Sequence, residues 1–258
     1  MAAADRSPLR EGPPPSDLAD RDELRFREQI EAYPDPPRDV VRFIESKELP
    51  RRLEYAFAEA GIEPHGVVVE LGAGTCWLAA TIARLPRVER VIAIEFSRRR
   101  LELLGPVALA HLGAPAEKVE RVVADFYNHG LGSEVADMVF IDSAFHHAAD
   151  PVALAGAAFE LLKPGGLFVL LREPTLSLLR RRRRAHGAED EHGSFEREYL
   201  ASGYLRYLRA AGFEASKHRA SGGWRTRRGR LTMRPPLKWL SGVLFSEYTY
   251  VGRTPLAS

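Results

Sequence analysis

Apolar residues in this chain gather into short continuous runs separated by segments of helical length. The runs lie at 66–71, 90–95, 120–124, 137–141 and 166–171. Each is rich in Val, Ile and Leu and lacks alternation, which predicts strands buried on both faces, as in a parallel sheet. Helix-length stretches fill the gaps at 75–84, 98–112 and 150–162. The last is well marked: Asp150 suits the N-cap, Pro151 suits the first turn, and Lys163-Pro164-Gly165-Gly166 stops it. With two further strands at 213–219 and 245–252, the pattern predicts a doubly wound α/β fold with a mostly parallel seven-stranded sheet.

The flanks read differently. Residues 1–19 contain Pro8, Pro13, Pro14 and Pro15 and few large apolar groups, so a disordered tail is expected. Two short helices follow at 20–33 and 38–47, separated by Pro34, Pro36 and Pro37. Arg51 to Ala60 reads as a third helix, with Leu53, Phe57 and Ala60 on one side and Gly61 ending it. Past residue 172 a helix at 175–185 runs into Arg180–Arg184. A clearer helix at 194–211 carries a stripe of Phe195, Tyr199, Leu200, Tyr204, Tyr207, Leu208 and Ala211, ended by Gly212. The expected organisation is a tail at 1–19 and a helical cap at 20–48. The main domain spans 49–258, with cap insertions near 174–194 and 220–244.

Composition narrows this reading without redirecting it. The chain has 258 residues, 45% of them hydrophobic, enough for one large core, and a formal net charge of only +2 dictates no partner. A single cysteine, Cys76, rules out an intrachain disulfide and a Cys-rich zinc site. No apolar run approaches the ~20 residues of a membrane-spanning helix, and the N-terminus lacks the apolar core of a signal peptide. A cytoplasmic location is the expectation; oligomeric state is silent.

The chemistry concentrates in Val67-Val68-Val69-Glu70-Leu71-Gly72-Ala73-Gly74-Thr75-Cys76-Trp77. A buried-type strand ends in an acid, two glycines stand one residue apart, and a helix follows. An open parallel sheet presents a nucleotide-like cofactor in this way. Trp77 stands where a dinucleotide fingerprint needs a third small residue for close packing beside a pyrophosphate, which argues against NAD and FAD.

Four elements in order then carry a resemblance to the class I S-adenosylmethionine-dependent methyltransferases over roughly residues 50–172. Glu70-Leu71-Gly72-Ala73-Gly74 resembles the family's first motif. Glu95, closing Val91-Ile92-Ala93-Ile94-Glu95-Phe96, matches the acid that holds the ribose hydroxyls. Ala124-Asp125-Phe126 resembles the adenine-binding motif, and Leu162-Lys163-Pro164-Gly165-Gly166 the turn before the fifth strand. The resemblance implies S-adenosyl-L-methionine as cofactor, bound by Glu70, Gly72, Ala73, Gly74, Glu95, Phe96, Asp125, Phe126 and Asp142. Phe96 and Phe126 would pack on the two sides of the adenine, and Asp125 would accept from its amino group. The blander readings stand beside these. Glu95, before Ser97-Arg98-Arg99-Arg100, also suits a charge near a helix start, and Asp125 also suits a turn. Cys76 reads as a small group in the loop and Trp77 as core or pocket wall.

After the fourth strand of the core come Asp142-Ser143-Ala144-Phe145-His146-His147. Methyl transfer needs a base only when the nucleophile must lose a proton, as a hydroxyl does, and His146 or His147 suits that role. A structural or cofactor-facing histidine is the competing reading. No Asn-Pro-Pro-Tyr-type motif follows this strand, which speaks against amino methylation of bases or of glutamine. Leu171-Arg172-Glu173-Pro174 replaces the Asp-Asn pair of magnesium-dependent catechol-type enzymes, so no metal is expected. Arg180–Arg184 cannot share one helix face, and with Glu189-Asp190-Glu191 nearby it reads as a solvated helix end. The alternative is a basic lid for an acidic or phosphorylated acceptor or for RNA, with Trp224 among Arg225, Arg227, Arg228 and Arg230 as a stacking candidate. The sequence thus points to methylation of a small-molecule acceptor, at oxygen. Its rivals are an RNA or protein methyltransferase using the Arg-rich segments, and a non-catalytic scaffold on the same fold.

Overall fold

A computed structural model describes residues 7–16, 36–176, 198–220, 225–226, 229–230 and 248–256. Strand β1 is Leu9–Glu11, and helices α1 (Pro36–Ser46) and α2 (Leu49–Ala60) follow. The alternating core then runs β2 (Gly66–Leu71), α3 (Trp77–Ala83), β3 (Val88–Glu95), α4 (Gly105–Leu112), β4 (Val119–Val123), β5 (Ala136–Asp142), α5 (Pro151–Leu161) and β6 (Leu162–Leu171). Short strands β7 (Thr175–Leu176) and β8 (Tyr199–Leu200) precede α6 (Ala201–Ala210) and β9 (Glu214–Arg219). A two-stranded ribbon, β10 (Arg225–Thr226) with β11 (Gly229–Arg230), and β12 (Tyr248–Arg253) complete the elements.

The main sheet has eight strands in the order β1-β4-β3-β2-β5-β6-β12-β9. Strands β1 to β6 in it are parallel, and β12 runs antiparallel between β6 and β9. The order reverses beside β2, where strands to either side are reached by crossovers in opposite directions. That switch point opens a crevice at the strands' carboxyl ends.

Burial follows from sequence. Val68 and Val91 on one face and Val69, Ile94 and Ile141 on the other are fully buried, because helices cover both faces of the sheet. Helices α1 to α4 pack on the first face through Val40, Ile44, Leu53, Leu78 and Leu109; α5 and α6 pack on the second through Leu154, Leu161, Tyr204 and Leu208. Asp150 caps α5 as expected, accepting from the amides of Val152 and Ala153.

Three expectations are corrected. Residues 7–16 are not a free tail: Leu9–Glu11 pairs in parallel with Arg121–Val123 and adds an eighth strand. Polar groups add to the packing of Leu9 against the core in holding this segment. Arg121, only 3% exposed, donates to the Ser7 hydroxyl and carbonyl, while Arg10 and Arg90 both reach Glu120. The helix expected from 194 is, where described, extended at Tyr199–Leu200, because these residues pair with Thr175–Leu176 before α6 begins at Ala201. The helix expected at 175–185 is likewise extended at Thr175–Leu176, and its remainder, the expected helix at 20–33, the Arg180–Arg184 run and Trp224 lie outside the described residues.

Candidate active site

The glycine loop is folded back against β3. The amides of Gly72 and Ala73 both donate to the Ile94 carbonyl, at 2.9 and 2.8 Å. Gly72 adopts φ +75°, and a Cβ there would stand 2.7 Å from the Phe126 ring, so only glycine fits. Cys76 is left-handed at φ 60°, and its amide donates to the Ala73 carbonyl at 2.7 Å. Ser143 and Arg172, just past β5 and β6, are left-handed too, at φ 53° and 52°. Such conformations cost about 1–3 kcal/mol each in non-glycine residues, and all three line the carboxyl edge, as at a functional site.

Five carboxylates are buried along this edge: Glu70, Glu95, Asp125, Asp142 and Glu173. Glu95 lies behind the loop, its Oε2 accepting the Gly74 amide at 2.8 Å and its Oε1 the Ser97 amide at 3.0 Å; Arg100 stands 3.9 Å away. Phe96, beside it, is half-buried. Asp125 uses Oδ1 to accept from the amides of Tyr127 and Asn128, at 2.6 and 2.7 Å, and Oδ2 to accept from the amide of Ser16. Phe126 is buried against Gly72 and edge-on to Tyr127. An adenosyl group fits these residues. Gly72 and Gly74 allow close backbone approach, Glu95 is an acid at the end of β3 beside the loop, and the Thr75 hydroxyl is buried without a partner among the described residues.

Glu70 and Asp142 serve the site from beneath. Glu70 Oε2 accepts the Ala79 amide at 2.9 Å, capping α3 from inside the core. Burial, reinforced by the nearby Asp142 charge, pushes its carboxyl well above the usual carboxylate range. The folded chain therefore keeps a proton that the unfolded chain gives up sooner. Glu70 stabilises the fold in acid, and that contribution is lost as pH rises through its raised value. Glu70→Gln keeps an acceptor for Ala79 and removes the titration. Its melting temperature relative to the parent's is expected to rise as pH climbs above the ordinary carboxylate range and to level off above the raised value. A difference that shrinks with rising pH in thermal melts would count against this.

Asp142 is engaged by its neighbours. It accepts the Trp77 indole N–H at 2.8 Å and both Nε and Nη2 of Arg172, at 2.6 and 2.5 Å. Burial raises its carboxyl pKa even so, against the pull of Arg172. The guanidinium sits over the rings of Phe43 and Trp77, at 5.7 and 5.4 Å from their centroids, which ties α1 to the carboxyl edge. Between Leu53, Trp77, Asp142 and Arg172 lies a cavity of about 20 Å³, room for a water molecule and no more. Trp77 is thus a buried wall residue that also orients an acid.

The histidines come together with a residue that sequence reasoning passed over. Glu173 Oε1 accepts the amides of Ala144 and Phe145, at 3.0 and 2.9 Å, and Oε2 accepts the His146 amide at 3.2 Å. Oε2 also lies 2.9 Å from His146 Nδ1, with both side chains buried. A carboxylate only accepts, so Nδ1 carries the proton and Nε2 is left as the basic nitrogen. His147 packs its ring 4.0 Å from that of His146. Glu173 is held in turn by the chain that follows. Thr175 Oγ1 contacts the Glu173 carbonyl and the Tyr250 hydroxyl, and the Tyr204 hydroxyl donates to the Pro174 carbonyl at 2.8 Å. The signal was present in Leu171-Arg172-Glu173-Pro174: an acid set just past a buried strand.

Comparison with known proteins agrees with this geometry. A family profile described as a methyltransferase domain matches residues 69–170. No curated protein matches the chain. Among solved structures, a chain of the Haloferax volcanii complex between a methyltransferase activator and a candidate methyltransferase superposes with a TM-score of 0.59. The identity is 20%, over 83% of this chain and 93% of that one. The cyclase SpnF superposes with a TM-score of 0.58 at 18% identity, over 81% of each chain. A candidate O-methyltransferase from Nostoc punctiforme gives 0.59 at 13% identity, over 83% of this chain and 60% of that one. At these identities the likeness is one of fold. A cyclase among them is a reminder that the site, not the fold, sets the reaction.

Proposed function

We propose that the chain, whose residues 69–170 match a methyltransferase-domain profile, is a class I S-adenosylmethionine-dependent methyltransferase that methylates a small-molecule acceptor at oxygen. The observation that carries this reading is the buried His146–Glu173 pair, 2.9 Å apart. A base fixed by a second buried group is what a hydroxyl acceptor needs and what a neutral amine acceptor can do without.

The residues divide the work by position. Glu95 accepts the ribose hydroxyls, Asp125 the adenine amino group, and the Gly72–Gly74 loop brings its backbone to the cofactor, with Phe96 and Phe126 as flanking rings. S-adenosylmethionine bound there would supply a methyl group on a positively charged sulfur, to be passed to the acceptor oxygen with the neutral thioether as leaving group. His146 Nε2 takes the acceptor's hydroxyl proton. Glu173 fixes the imidazole by its Nδ1–H and stabilises the charge the ring acquires. Alignment supplies much of the remaining acceleration, since displacement at carbon demands an in-line approach.

The test is a labelled-methyl screen of the full chain with phenols, sugars, carboxylic and phosphorylated acids, and short RNA. Transfer to a hydroxyl-bearing small molecule is the expected outcome. Label appearing only on amines or RNA would overturn the oxygen-directed reading in favour of the Arg-rich alternative. Cofactor binding without transfer to any acceptor would favour a scaffold.

A further inference from the structure

We infer that the N-terminal segment Ser7–Ser16 is part of the cofactor site, and that the Ser16 amide holds Asp125 in the place the adenine amino group takes. The inference rests on Asp125 as the adenine-facing acid.

The segment is anchored at one end and laid across the site at the other. Its first half is fixed. The buried Arg121 guanidinium donates from Nε to Ser7 Oγ at 3.1 Å, from Nη2 to the Ser7 carbonyl at 2.7 Å, and from Nη1 to the Leu101 carbonyl at 2.5 Å. The Arg121 amide donates to the Pro8 carbonyl at 2.8 Å, and Gly12 donates to Val123 at 2.9 Å. From Gly12 the chain crosses the carboxyl end of β4. A Cβ on Gly12 would stand 2.7 Å from that of Ala124, Pro13 lies against Gly130, and Asn128 Nδ2 donates to the Pro14 carbonyl at 2.9 Å.

The crossing ends on the cofactor acid itself. Ser16 N donates to Asp125 Oδ2 at 2.5 Å, while Oδ1 is taken by the local amides of Tyr127 and Asn128. An adenine amino group is also an N–H donor, and Oδ2 is the oxygen that the local turn does not use. The two donors therefore compete. Cofactor binding exchanges one N–H for another at Asp125 and lifts Pro14–Ser16, while Arg121 keeps Ser7–Glu11 in the sheet.

Ser16→Pro removes the competing N–H and leaves Asp125 untouched. Calorimetry with S-adenosylhomocysteine should find binding about ten- to a hundredfold tighter than in the parent, the scale of one charge-assisted hydrogen bond no longer broken. With the analogue bearing hydrogen in place of the adenine amino group, the variant and the parent should bind alike. In the unmodified chain, amide exchange should show Ser16 losing protection on adding S-adenosylhomocysteine while Gly12 keeps it. That measurement decides alone if the variant does not fold. Unchanged or weaker binding by a folded Ser16→Pro, or rising Ser16 protection in the parent, would overturn the inference. If a folded Ser16→Pro binds the deaminated analogue as tightly as S-adenosylhomocysteine, the assignment of Asp125 to the amino group fails, and the inference falls with it.

Discussion

His146→Ala is expected to lower turnover by about 100- to 10,000-fold, the range that a positioned general base contributes. Affinity for S-adenosylhomocysteine should stay within about twofold, because Glu95 and Asp125, not His146, face the cofactor in this reading. His147→Ala, which removes the packing ring and not the fixed base, should cost far less. Glu173→Gln is expected to lower turnover substantially as well, since an amide cannot accept from four N–H groups at once. The decisive measurement is the double variant. If Glu173 acts through His146, adding Glu173→Gln to His146→Ala should produce little further loss. Full turnover in His146→Ala, or independent multiplicative losses, would remove the base assignment.

Glu95→Ala is expected to weaken S-adenosylhomocysteine binding by about 100-fold or more. Two hydroxyl donors to a buried carboxylate are worth roughly 1.5–3 kcal/mol each. The substitution also frees the Gly74 and Ser97 amides that Glu95 now accepts, so part of the loss comes from a loosened loop. Glu95→Gln separates the two contributions. It retains one acceptor oxygen for the loop and should bind at an intermediate level. Calorimetry on both variants, with far-ultraviolet dichroism to verify the fold, tests this. Affinity within about threefold of the parent in Glu95→Ala would mean that this acid serves the loop alone.

The core was legible because its signals are local. Unbroken Val/Ile/Leu runs marked β2 to β6, and Asp150 with Pro151 marked the start of α5; burial on both sheet faces needs no further information. The glycine loop was legible because backbone approach leaves a residue-type signature at Gly72 and Gly74. Strand β1 was not, since Leu9–Glu11 holds one apolar residue and its partners in β4, Arg121 and Glu120 among them, lie more than a hundred positions away. Glu173 was passed over for a related reason. An acid after a strand is unremarkable until the fold brings it to the amides of Ala144, Phe145 and His146. Asp142 was placed correctly at the carboxyl edge, yet its engagement with Trp77 and Arg172 depends on packing between β5, α3 and β6.

The buried carboxylates along the carboxyl edge bear on turnover as well as on binding. Glu95, Asp125 and Glu173 set a negative potential in a region of low dielectric. Before transfer the sulfur is cationic, and afterwards it is a neutral thioether. The same edge that draws the charged cofactor in therefore holds the spent one less firmly. Salt screens buried charges little, so the difference in affinity between S-adenosylmethionine and S-adenosylhomocysteine should persist as salt is added. Charge would thereby act as a one-way valve, clearing the site for the next cycle.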